Sequence, residues 1–384
     1  MTRSITILGA TGSIGASTLD LVRRDAVGWR VVALTANANV AELARLAREF
    51  RPEVVAVADE SCLSALREAL AGTGIAAVGG PSGVIEAAAR PADITVAAIV
   101  GCAGLAPAMA AIEQGGTIAL ANKEALVSAG DVMMDAVRRH GATLLPIDSE
   151  HNAIFQCLAG SDPADVRWIT LTASGGPFRD WSADQLARAT PAEAVRHPNW
   201  DMGAKISVDS ATMMNKGLEL IEANWLFPVG LDRLRIIVHP QSIVHSMVEY
   251  RDGSTLAQLG PSDMRVPIAS ALAWPRRMDT PCAPLDLAAI GELTFRAPDE
   301  VRFPATRLAR EAAQAGGSAP AVLNAANEVA VAAFLAGRIA FGSIAPHVEE
   351  VMSRCRPLAP ASLAEVIAVD AEARICAAAL META

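Results

Sequence analysis

A glycine-rich turn between the first strand and the first helix constrains the fold of this chain most strongly. An apolar stretch at residues 4–8 is followed by Gly9, Gly12 and Gly15, in the spacing G-x-x-G-x-x-G, and then by a helical pattern. Glycines let the backbone approach a pyrophosphate, and the N-terminus of the following helix offers N–H groups and partial positive charge. The arrangement favours a dinucleotide-binding domain over a purely structural turn.

Strand and helix patterns alternate from this turn onward. Short apolar strands are predicted at residues 4–8, 30–34, 54–57, 94–100, 117–121 and 143–146, with helices between them such as 40–50 and 61–71. Such alternation is typical of a parallel sheet with crossover helices. We therefore predict an α/β protein with an N-terminal Rossmann-like, doubly wound parallel sheet at residues 1–147, which binds ligands at the carboxyl ends of its strands.

The pattern changes after this sheet and indicates three further segments. Strands at residues 167–173, 235–237, 242–250 and 255–259 accompany a helix at 210–226, which predicts an α+β catalytic domain at residues 148–273. Residues 274–304 are irregular and rich in proline, as is typical of a linker. Ala-rich helical patterns then predict a C-terminal helical bundle at residues 305–384.

Charge and cysteine usage exclude several classes of function. The formal net charge of -10 argues against nucleic acid, because most of the surface would repel a phosphate backbone. The six scattered cysteines contain no C-x-x-C pair, which is typical of a reduced cytoplasmic protein without a zinc site. Residues 94–112 carry no charge, but Gly101, Gly104 and Pro107 interrupt them. We predict a buried strand, a turn and a buried helix there, and no contact with a membrane.

Two carboxylates follow the last strand of the predicted sheet. Asp148 and Glu150 are two residues apart, and in an extended chain such residues point to the same side. Two carboxylates on one side form half of a site for Mg²⁺ or Mn²⁺, since both ions prefer oxygen ligands. The alternative is a solvated acidic turn.

The segment at residues 205–219 interleaves polar and apolar side chains. On a helix, Asn215 and Glu219 share a face at i,i+4, and Lys216 lies within one turn of Glu219. Ser210, Asn215 and Lys216 suit a phosphate, while Glu219 offers a third carboxylate to a metal. The alternative is a capped helix with an internal Lys–Glu pair.

Lysine usage favours the chemical interpretation of this segment. Among 32 Lys and Arg residues only Lys123, Lys205 and Lys216 are lysines. Lys123 follows the predicted strand at residues 117–121, at the edge where doubly wound sheets bind ligands. A compact ammonium reaches a small anion in a way that a guanidinium does not, so the three lysines are candidates for chemistry.

Two loops are candidates for contacts with a ligand. Residues 197–203 combine the features of a mobile lid, with Trp200 to cover, His197 to bind and Gly203 as a hinge. The alternative is a surface loop with a packed tryptophan. Ser174 and the two glycines after it offer a hydroxyl and amides to an anion, although most such turns only reverse the chain. We interpret the remaining histidines, His151, His239 and His245 among them, as structural rather than ligating.

The end of the second predicted strand bears on the choice of cofactor. NAD enzymes commonly carry an acidic residue there, which holds the ribose 2′-hydroxyl. Residues 34–39 contain no acid, which disfavours NAD. They also contain no Lys or Arg that would hold a 2′-phosphate.

Together these segments resemble the 1-deoxy-D-xylulose 5-phosphate reductoisomerase family of the non-mevalonate isoprenoid pathway. The order and spacing agree from end to end. The segments that carry the resemblance are residues 9–15, 122–124, 148–153, 174–178, 197–203, 205–219 and 323–328.

The resemblance implies a role for each candidate residue. The metal ligands for Mg²⁺ or Mn²⁺ would be Asp148, Glu150 and Glu219. The catalytic residues would be Lys123, Glu150, His197 and Lys216. The sugar phosphate substrate would be bound by Lys123, Ser149, Glu150, Ser174, His197, Trp200, Met202, Ser210, Asn215, Lys216 and Glu219. NADPH would be bound by Thr11, Gly12, Ser13, Ile14, Asn37, Ala38, Asn39, Asn122, Glu124 and Gly203.

The same resemblance implies an activity and an assembly, and it shows one position at which this chain differs from most of the family. The activity would be a metal-assisted rearrangement followed by reduction with hydride from NADPH. The assembly would be a homodimer, built in part by the sheet of the strands at 242–250 and 255–259. Family members usually carry Lys or Arg where this chain has Ala38, so its contact to the 2′-phosphate of NADPH is expected to be weaker.

Two other functions compete with this interpretation. One is an NADP-dependent dehydrogenase of the aspartate-semialdehyde or homoserine type, which shares a related N-terminal domain. It needs no trio of carboxylates, and no cysteine nucleophile stands in a suitable motif. The other is a catalytically inactive nucleotide-binding regulator, which loss of metal binding would favour.

Overall fold

The chain divides into two compact units. The structure is a computed structural model that describes residues 2–200, 202–355 and 357–382. The first unit comprises Met1–Ala125, Met133–Asp148 and Met264–Cys282, and the second comprises Leu126–Val132, Ser149–Asp263 and Ala283–Ala384. The sequence pattern assigned residues 264–273 to the catalytic domain and residues 305–384 to a separate domain. In the structure, residues 264–273 belong to the first unit, and residues 305–384 belong to the second unit together with most of the candidate catalytic residues.

A parallel sheet forms the centre of the first unit. Seven strands are described in it, in the order β4-β3-β2-β1-β5-β6-β7, and every neighbouring pair is parallel. The strands are β1 Arg3–Leu8, β2 Trp29–Ala36, β3 Val54–Val57, β4 Ala76–Gly79, β5 Ile94–Ala97, β6 Thr117–Leu120 and β7 Thr143–Pro146. The predicted doubly wound sheet is therefore confirmed. The order reverses between β1 and β5, which places the switch point of the sheet beside the glycine-rich turn.

Helices connect these strands. They are α1 Ser13–Arg24, α2 Val40–Phe50, α3 Leu63–Ala69, α4 Gly80–Ala88, α5 Leu105–Ile112 and α6 Lys123–His140, and α12 Arg265–Ala273 joins the unit from later in the chain. Apolar side chains such as Ile5, Ile7 and Leu34 are fully buried because a parallel sheet is covered on both faces.

Three predictions for this unit were wrong in detail. Strand β4 was missed, because its sequence Ala-Ala-Val-Gly has little of the β-branched character that marks a strand. Strand β5 ends at Ala97 rather than at residue 100, ahead of Gly101 with its φ of 72°. The helix predicted at 61–71 is a 3₁₀ turn, Glu60–Cys62, followed by α3.

The second unit combines a mixed sheet with a helical layer. Its described strands, in the order β11-β10-β8-β9, are β8 Val166–Ala173, β9 Leu234–Val238, β10 Val244–Tyr250 and β11 Thr255–Leu259. Strands β8 and β9 are parallel and the other pairs antiparallel. The helices are α7 Ser149–Leu158, α8 Ala183–Leu186, α9 Pro191–Ala194, α10 Ala204–Thr212, α11 Met214–Leu226, α13 Leu287–Ile290, α14 Ala305–Ala315, α15 Ala319–Leu335, α16 Ile344–Arg354 and α17 Leu363–Glu382.

One hydrophobic core joins the helices of this unit. It includes Leu218 of α11, Leu308 of α14, Leu323 of α15 and Val348 of α16, all at most 1% exposed. The packing is close, since a Cβ at Gly217 would lie 2.7 Å from the Cβ of Ala309. The predicted helical C-terminal region is thus present, but it shares its core with the helix that carries the candidate phosphate residues.

Two local predictions in the second unit were wrong. The helix predicted at 210–226 is two helices, α10 and α11, separated at Met213, whose φ of 65° is left-handed. The segment at 148–150 is not extended, because α7 begins at Ser149 and places Glu150 in its first turn. No helix among the described residues is both long enough and apolar enough to cross a membrane.

Candidate active site

The glycine-rich turn of the first unit packs tightly against the sheet. Gly9 has a φ of +87°, and a Cβ there would lie 2.7 Å from the carbonyl oxygen of Ala98. A Cβ at Gly15 would lie 2.6 Å from the backbone of Ala10. Only glycine fits such positions. The turn is completed by a hydrogen bond from the Gly9 N–H to Oγ1 of Thr35, at 2.9 Å.

Residues at the start of α1 remain accessible to a ligand. Gly12 is the N-cap and supplies no side-chain cap, while Thr11 and Ile14 are half-buried and Ser13 is exposed. The first-turn N–H groups and the positive end of the helix dipole therefore face an open surface, which suits a pyrophosphate. The cradle fits a dinucleotide such as NADPH.

The turn after β2 is exposed and partly occupied by its own contacts. Asn37, Ala38 and Asn39 are all exposed. The side chain of Asn39 accepts a hydrogen bond from the N–H of Glu42 at 3.2 Å and so caps α2. Its amide NH₂ group can still donate. The carbonyl of Asn37 accepts from the backbone N–H of Asp59, which brings an acidic residue of the β3 loop to this turn.

Three predicted residues lie where β6 meets α6. Asn122 caps α6 by accepting from the N–H of Ala125 at 3.0 Å, and its amide donates to the carbonyl of Gly101. Lys123 and Glu124 are buried in the first turn, at 6% and 7% exposure. The ammonium of Lys123 forms an ion pair with Asp148, which follows the neighbouring strand β7.

A buried cluster of polar side chains in the second unit brings α7 and α11 together. Nζ of Lys216 lies 2.8 Å from Oε1 of Glu150 and also forms an ion pair with Glu219. The amide of Asn215 donates to Oε1 of Glu219 at 2.5 Å, which confirms the i,i+4 relationship expected from the sequence. Ser149 donates to Oε2 of Glu150 at 2.5 Å. Lys216 and Glu219 are 4% and 0% exposed.

This cluster fits a hard divalent cation. Carboxylate oxygens of Glu150 and Glu219 lie within 4.8 Å of each other, and two negative charges so close repel strongly because Glu219 is buried and Glu150 half-buried. A second pair, His151 and Glu222, is more deeply buried than the Glu150–Glu219 pair. The ring of His151, however, faces the Glu219 carbonyl at 2.8 Å and Glu222 at 3.3 Å. The all-oxygen pair is the better match to Mg²⁺ or Mn²⁺, whereas His151 supports the backbone of α11.

His197 and Ser174 form a second polar contact in this unit. Nε2 of His197 lies 2.9 Å from Oγ of Ser174, and the same hydroxyl accepts from the Gly176 N–H at 3.1 Å. Burial lowers the pKa of His197 to about 4, against the opposing attraction of Glu150. The imidazole is therefore neutral at neutral pH.

The segment predicted to be a lid begins in a well-anchored position. The amide of Asn199 donates to the carbonyl of Pro240 at 2.7 Å and to Oγ of Ser242 at 2.9 Å. Trp200 and Met202 are half-buried, and the Trp200 ring centroid lies 6.2 Å from that of His245. Asp201 lies outside the described residues.

Ser210 lies beside the glycine turn that follows β8. A Cβ at Gly176 would be 2.5 Å from the Ser210 carbonyl oxygen, so the turn and α10 approach as closely as glycine permits. Gly203 is the N-cap of α10 and is exposed. Ser210 and Asn215 are half-buried on either side of the break at Met213.

Two residues near these groups were missed from the sequence. Nη1 of Arg179 donates to the Ser174 carbonyl at 2.8 Å and so supports the turn. Glu222 is 1% exposed and faces His151. The i,i+3 spacing from Glu219 was the only signal for Glu222, and such spacing is common on solvated helices.

Three models of known protein families together match most of the chain. The family model for 1-deoxy-D-xylulose 5-phosphate reductoisomerase matches residues 5–130, and the model for its C-terminal domain matches residues 144–227. The model for the DXP reductoisomerase C-terminal domain matches residues 259–376.

Curated relatives and solved structures carry the same description. The chain is 57% identical to 1-deoxy-D-xylulose 5-phosphate reductoisomerase of Zymomonas mobilis, over 99% of this chain and 98% of that protein. It is 58% identical to that of Rhodospirillum centenum, over 97% of this chain and 92% of that protein. The Zymomonas mobilis enzyme in complex with NADPH matches with a TM-score of 0.95 at 55% identity, over the whole of both chains. A DOX-P reductoisomerase in complex with NADPH, fosmidomycin and magnesium matches with a TM-score of 0.94 at 44% identity. The match covers 99% of this chain and 98% of that one.

Proposed function

The chain belongs to the 1-deoxy-D-xylulose 5-phosphate reductoisomerase family, and on that premise we propose which of its residues carry out each part of the reaction. The enzyme converts 1-deoxy-D-xylulose 5-phosphate to 2-C-methyl-D-erythritol 4-phosphate with NADPH and a divalent metal, in the synthesis of isoprenoid precursors. The observation that carries our assignment is the buried contact of Lys216 with Glu150 and Glu219.

Glu150 and Glu219 are the proposed metal ligands, together with Asp148. The proposal is supported by the oxygen-only donor set and by the full burial of Glu219. Asp148 stands two residues before Glu150 in the chain, which supports it as the third ligand. When bound, the metal supplies Lewis acidity to the carbonyl and hydroxyl oxygens of the substrate. The carboxylates would hold the metal, and Lys216 balances part of their charge before substrate enters.

The substrate phosphate is proposed to bind among groups that donate hydrogen bonds. These groups are Ser174, His197, Ser210, Asn215 and Lys216. Ser174 already accepts from Gly176 and faces His197, so its hydroxyl hydrogen is available to donate to a phosphate oxygen. Because the phosphate does not react, its contacts supply binding energy and orientation to the reacting carbons. Ser149 and Lys123 are proposed to contact the sugar, and Lys123, Glu150, His197 and Lys216 to be the catalytic residues.

NADPH is proposed to bind along the glycine-rich turn. Its pyrophosphate would lie on Thr11, Gly12, Ser13 and Ile14, and its 2′-phosphate on the exposed turn of Asn37, Ala38 and Asn39. Asn122, Glu124 and Gly203 complete the proposed contacts. The bound cofactor supplies the hydride. Asn122 also fixes the start of α6, because its side-chain oxygen and nitrogen bond to backbone groups.

Trp200 and Met202 are proposed to cover the substrate. The two side-chain hydrogen bonds of Asn199 fix the start of this segment, while His197 joins it to Ser174. A closed lid excludes water while the rearranged aldehyde waits for reduction, which prevents its loss by side reactions.

The two competing functions are not favoured. A dehydrogenase of the aspartate-semialdehyde or homoserine type would have no use for two carboxylates, one fully buried and one half-buried, that share a lysine. An inactive regulator would not be expected to keep that cluster together with the glycine cradle. The full-length relatives are described as reductoisomerases.

A direct assay tests this function. Purified enzyme is mixed with NADPH, Mg²⁺ and 1-deoxy-D-xylulose 5-phosphate, and the absorbance of NADPH is followed, with the product identified by mass spectrometry. We expect consumption of NADPH that depends on both metal and substrate. Oxidation of NADPH with homoserine-pathway aldehydes but not with the sugar phosphate would contradict the assignment.

We further propose a cytoplasmic homodimer. Strand β11 lies at the edge of the sheet of the second unit, with Leu256 50% exposed and Leu259 36% exposed, and an unpaired apolar edge is a common site of association. All six cysteines are thiols, which supports a reducing compartment. Sedimentation at micromolar concentration tests the assembly, and the mass of a single chain would contradict it.

A further inference from the structure

The helix that carries Ser210 contains a buried acid outside the proposed metal and substrate groups. Asp209 is 1% exposed, and its Oδ1 accepts from Nδ2 of Asn327 at 2.8 Å. Its Oδ2 lies 2.8 Å from Nζ of Lys205, one turn earlier on α10. Lys205 is the one lysine of this chain that the proposed function leaves without a role. Asn327 belongs to the segment at residues 323–328, which the proposed function also leaves unused.

Asp209 is connected through Thr212 to the helix break. Oγ1 of Thr212 donates to the Asp209 carbonyl at 3.2 Å and accepts from the backbone N–H of Met214 at 3.3 Å. The N–H of Met213, in its left-handed conformation, donates to the Ser210 carbonyl at 3.2 Å. The end of α10 and the start of α11 are therefore held by bonds that converge on Asp209 and its neighbours.

The partner helix α15 is itself fixed in place. Asn324 donates to Oε1 of Glu328 at 3.0 Å, and Arg374 of α17 lies 2.5 Å from Oε2 of the same carboxylate. Asn324 and Asn327 are both fully buried. Two asparagines of one segment thus have different tasks, since Asn324 serves the α15–α17 contact and Asn327 reaches α10.

We infer that Asp209, held by Lys205 and Asn327, is a positioning residue for the phosphate of the substrate. It fixes the break at Met213 so that Ser210, before the break, and Lys216, after it, present their donors together. The inference rests on the proposed phosphate-binding role of these residues.

The charge of Asp209 explains why both partners are present. A carboxylate near the C-terminal end of a helix is opposed by the helix dipole, and beside a bound phosphate it would also repel the ligand. Lys205 and Asn327 together compensate the negative charge of Asp209, the first with an ammonium and the second with an amide donor. Removal of either partner leaves a buried acid that relaxes by moving the helix end.

The affinity for inorganic phosphate, measured by calorimetry on the full-length enzyme, tests the inference. We expect Asn327→Ala to weaken phosphate binding by about tenfold, the scale of one charge-assisted hydrogen bond, and to change the NADPH dissociation constant by less than about twofold. The double variant Asp209→Asn with Asn327→Asp restores a carboxylate–amide pair between the same helices and should regain part of the affinity.

Asn324→Ala is the matched control. It removes a buried amide donor from the same helix, so it should lower the melting temperature without changing phosphate affinity. Equal loss of phosphate affinity in both asparagine variants would show that Asn327 has only a structural role, and would overturn the inference. Unchanged phosphate affinity in both variants would overturn it too. If Asn327→Ala does not fold, Thr212→Val decides, because an unchanged affinity in that variant overturns the inference.

Phosphate binding by Lys216→Ala distinguishes failure of the positioning role from failure of the proposed phosphate site. If Lys216→Ala loses phosphate affinity while Asn327→Ala does not, only the positioning role falls. If Lys216→Ala keeps its phosphate affinity, the phosphate site is wrongly placed and the inference falls with it.

Discussion

Nε2 of His197 donates a hydrogen bond to Oγ of Ser174, 2.9 Å away. The direction follows from the other ring nitrogen, since Nδ1 accepts from the N–H groups of Trp200 at 3.0 Å and Asn199 at 3.2 Å. The proton of the neutral ring is therefore on Nε2. A neutral histidine joins the candidate lid to the turn that is proposed to hold phosphate.

This contact predicts a dependence of stability on pH. Burial lowers the pKa of His197 from its ordinary 6.5 to about 4, so the unfolded chain binds the proton more readily than the folded enzyme does. The stabilising contribution of the neutral ring is complete above about pH 6.5 and is lost as the pH falls toward about 4. The free energy of unfolding should therefore fall more steeply for wild type than for His197→Gln between about pH 7.5 and about pH 5. Parallel curves for the two proteins would show that burial does not control this histidine.

Lys216→Ala should raise KM for the substrate and lower kcat. The ammonium contacts two carboxylates and is proposed to reach the phosphate, so its loss should cost about 1.5–3 kcal/mol. That corresponds to a loss of about 10- to 150-fold in kcat/KM. Arg235→Ala is the control, because it removes a surface cation that pairs with Glu249 in the same unit. An unchanged kcat/KM in Lys216→Ala would make the lysine a structural pair.

Ala38→Arg should lower KM for NADPH and leave that for NADH nearly unchanged. Ala38 is exposed and offers no cation. The side-chain oxygen of Asn39 caps α2, and its NH₂ group is a neutral donor to a phosphate. The missing charge should cost wild type about 1–2 kcal/mol, or about tenfold in its preference for NADPH over NADH. Ala38→Gln controls for side-chain size without charge. Equal effects of the Arg substitution on both cofactors, or a wild-type preference for NADH, would refute this account.

The periodicity of apolar residues was sufficient to predict helices and strands whose apolar side chains face the core. The strand at residues 54–57 and the helix at 40–50 were predicted with their observed bounds, because each has a regular apolar pattern between turn residues. The strand at 76–79 was not predicted, since it pairs at the edge of a sheet that other strands define. Its extended conformation comes from β3 rather than from its own sequence.

An unusual composition in the sequence pointed to two residues of the candidate site. Three lysines in an arginine-rich chain led to Lys123 and Lys216, both of which are paired with carboxylates. The geometry around them was less predictable. The left-handed residue at the helix break is Met213, a residue type that rarely adopts that conformation. Its N–H donates to the Ser210 carbonyl, and the N–H of the next residue, Met214, donates to the Thr212 hydroxyl, so both bonds stabilise the break. Such tertiary compensation leaves no local pattern in the sequence.

Mn²⁺ binding to Glu219→Gln tests the central claim of a carboxylate metal site most directly. Glu222→Gln is the matched control, because it changes a buried carboxylate one turn further along α11 that faces His151 instead. Titration with Mn²⁺, followed by electron paramagnetic resonance, should show tight binding to wild type and Glu222→Gln and its loss in Glu219→Gln. The NADPH dissociation constant should stay within about twofold in all three proteins, and turnover should vanish in Glu219→Gln alone. Wild-type turnover by Glu219→Gln in EDTA-treated buffer, or Mn²⁺ binding that depends on Glu222 rather than Glu219, would contradict the account.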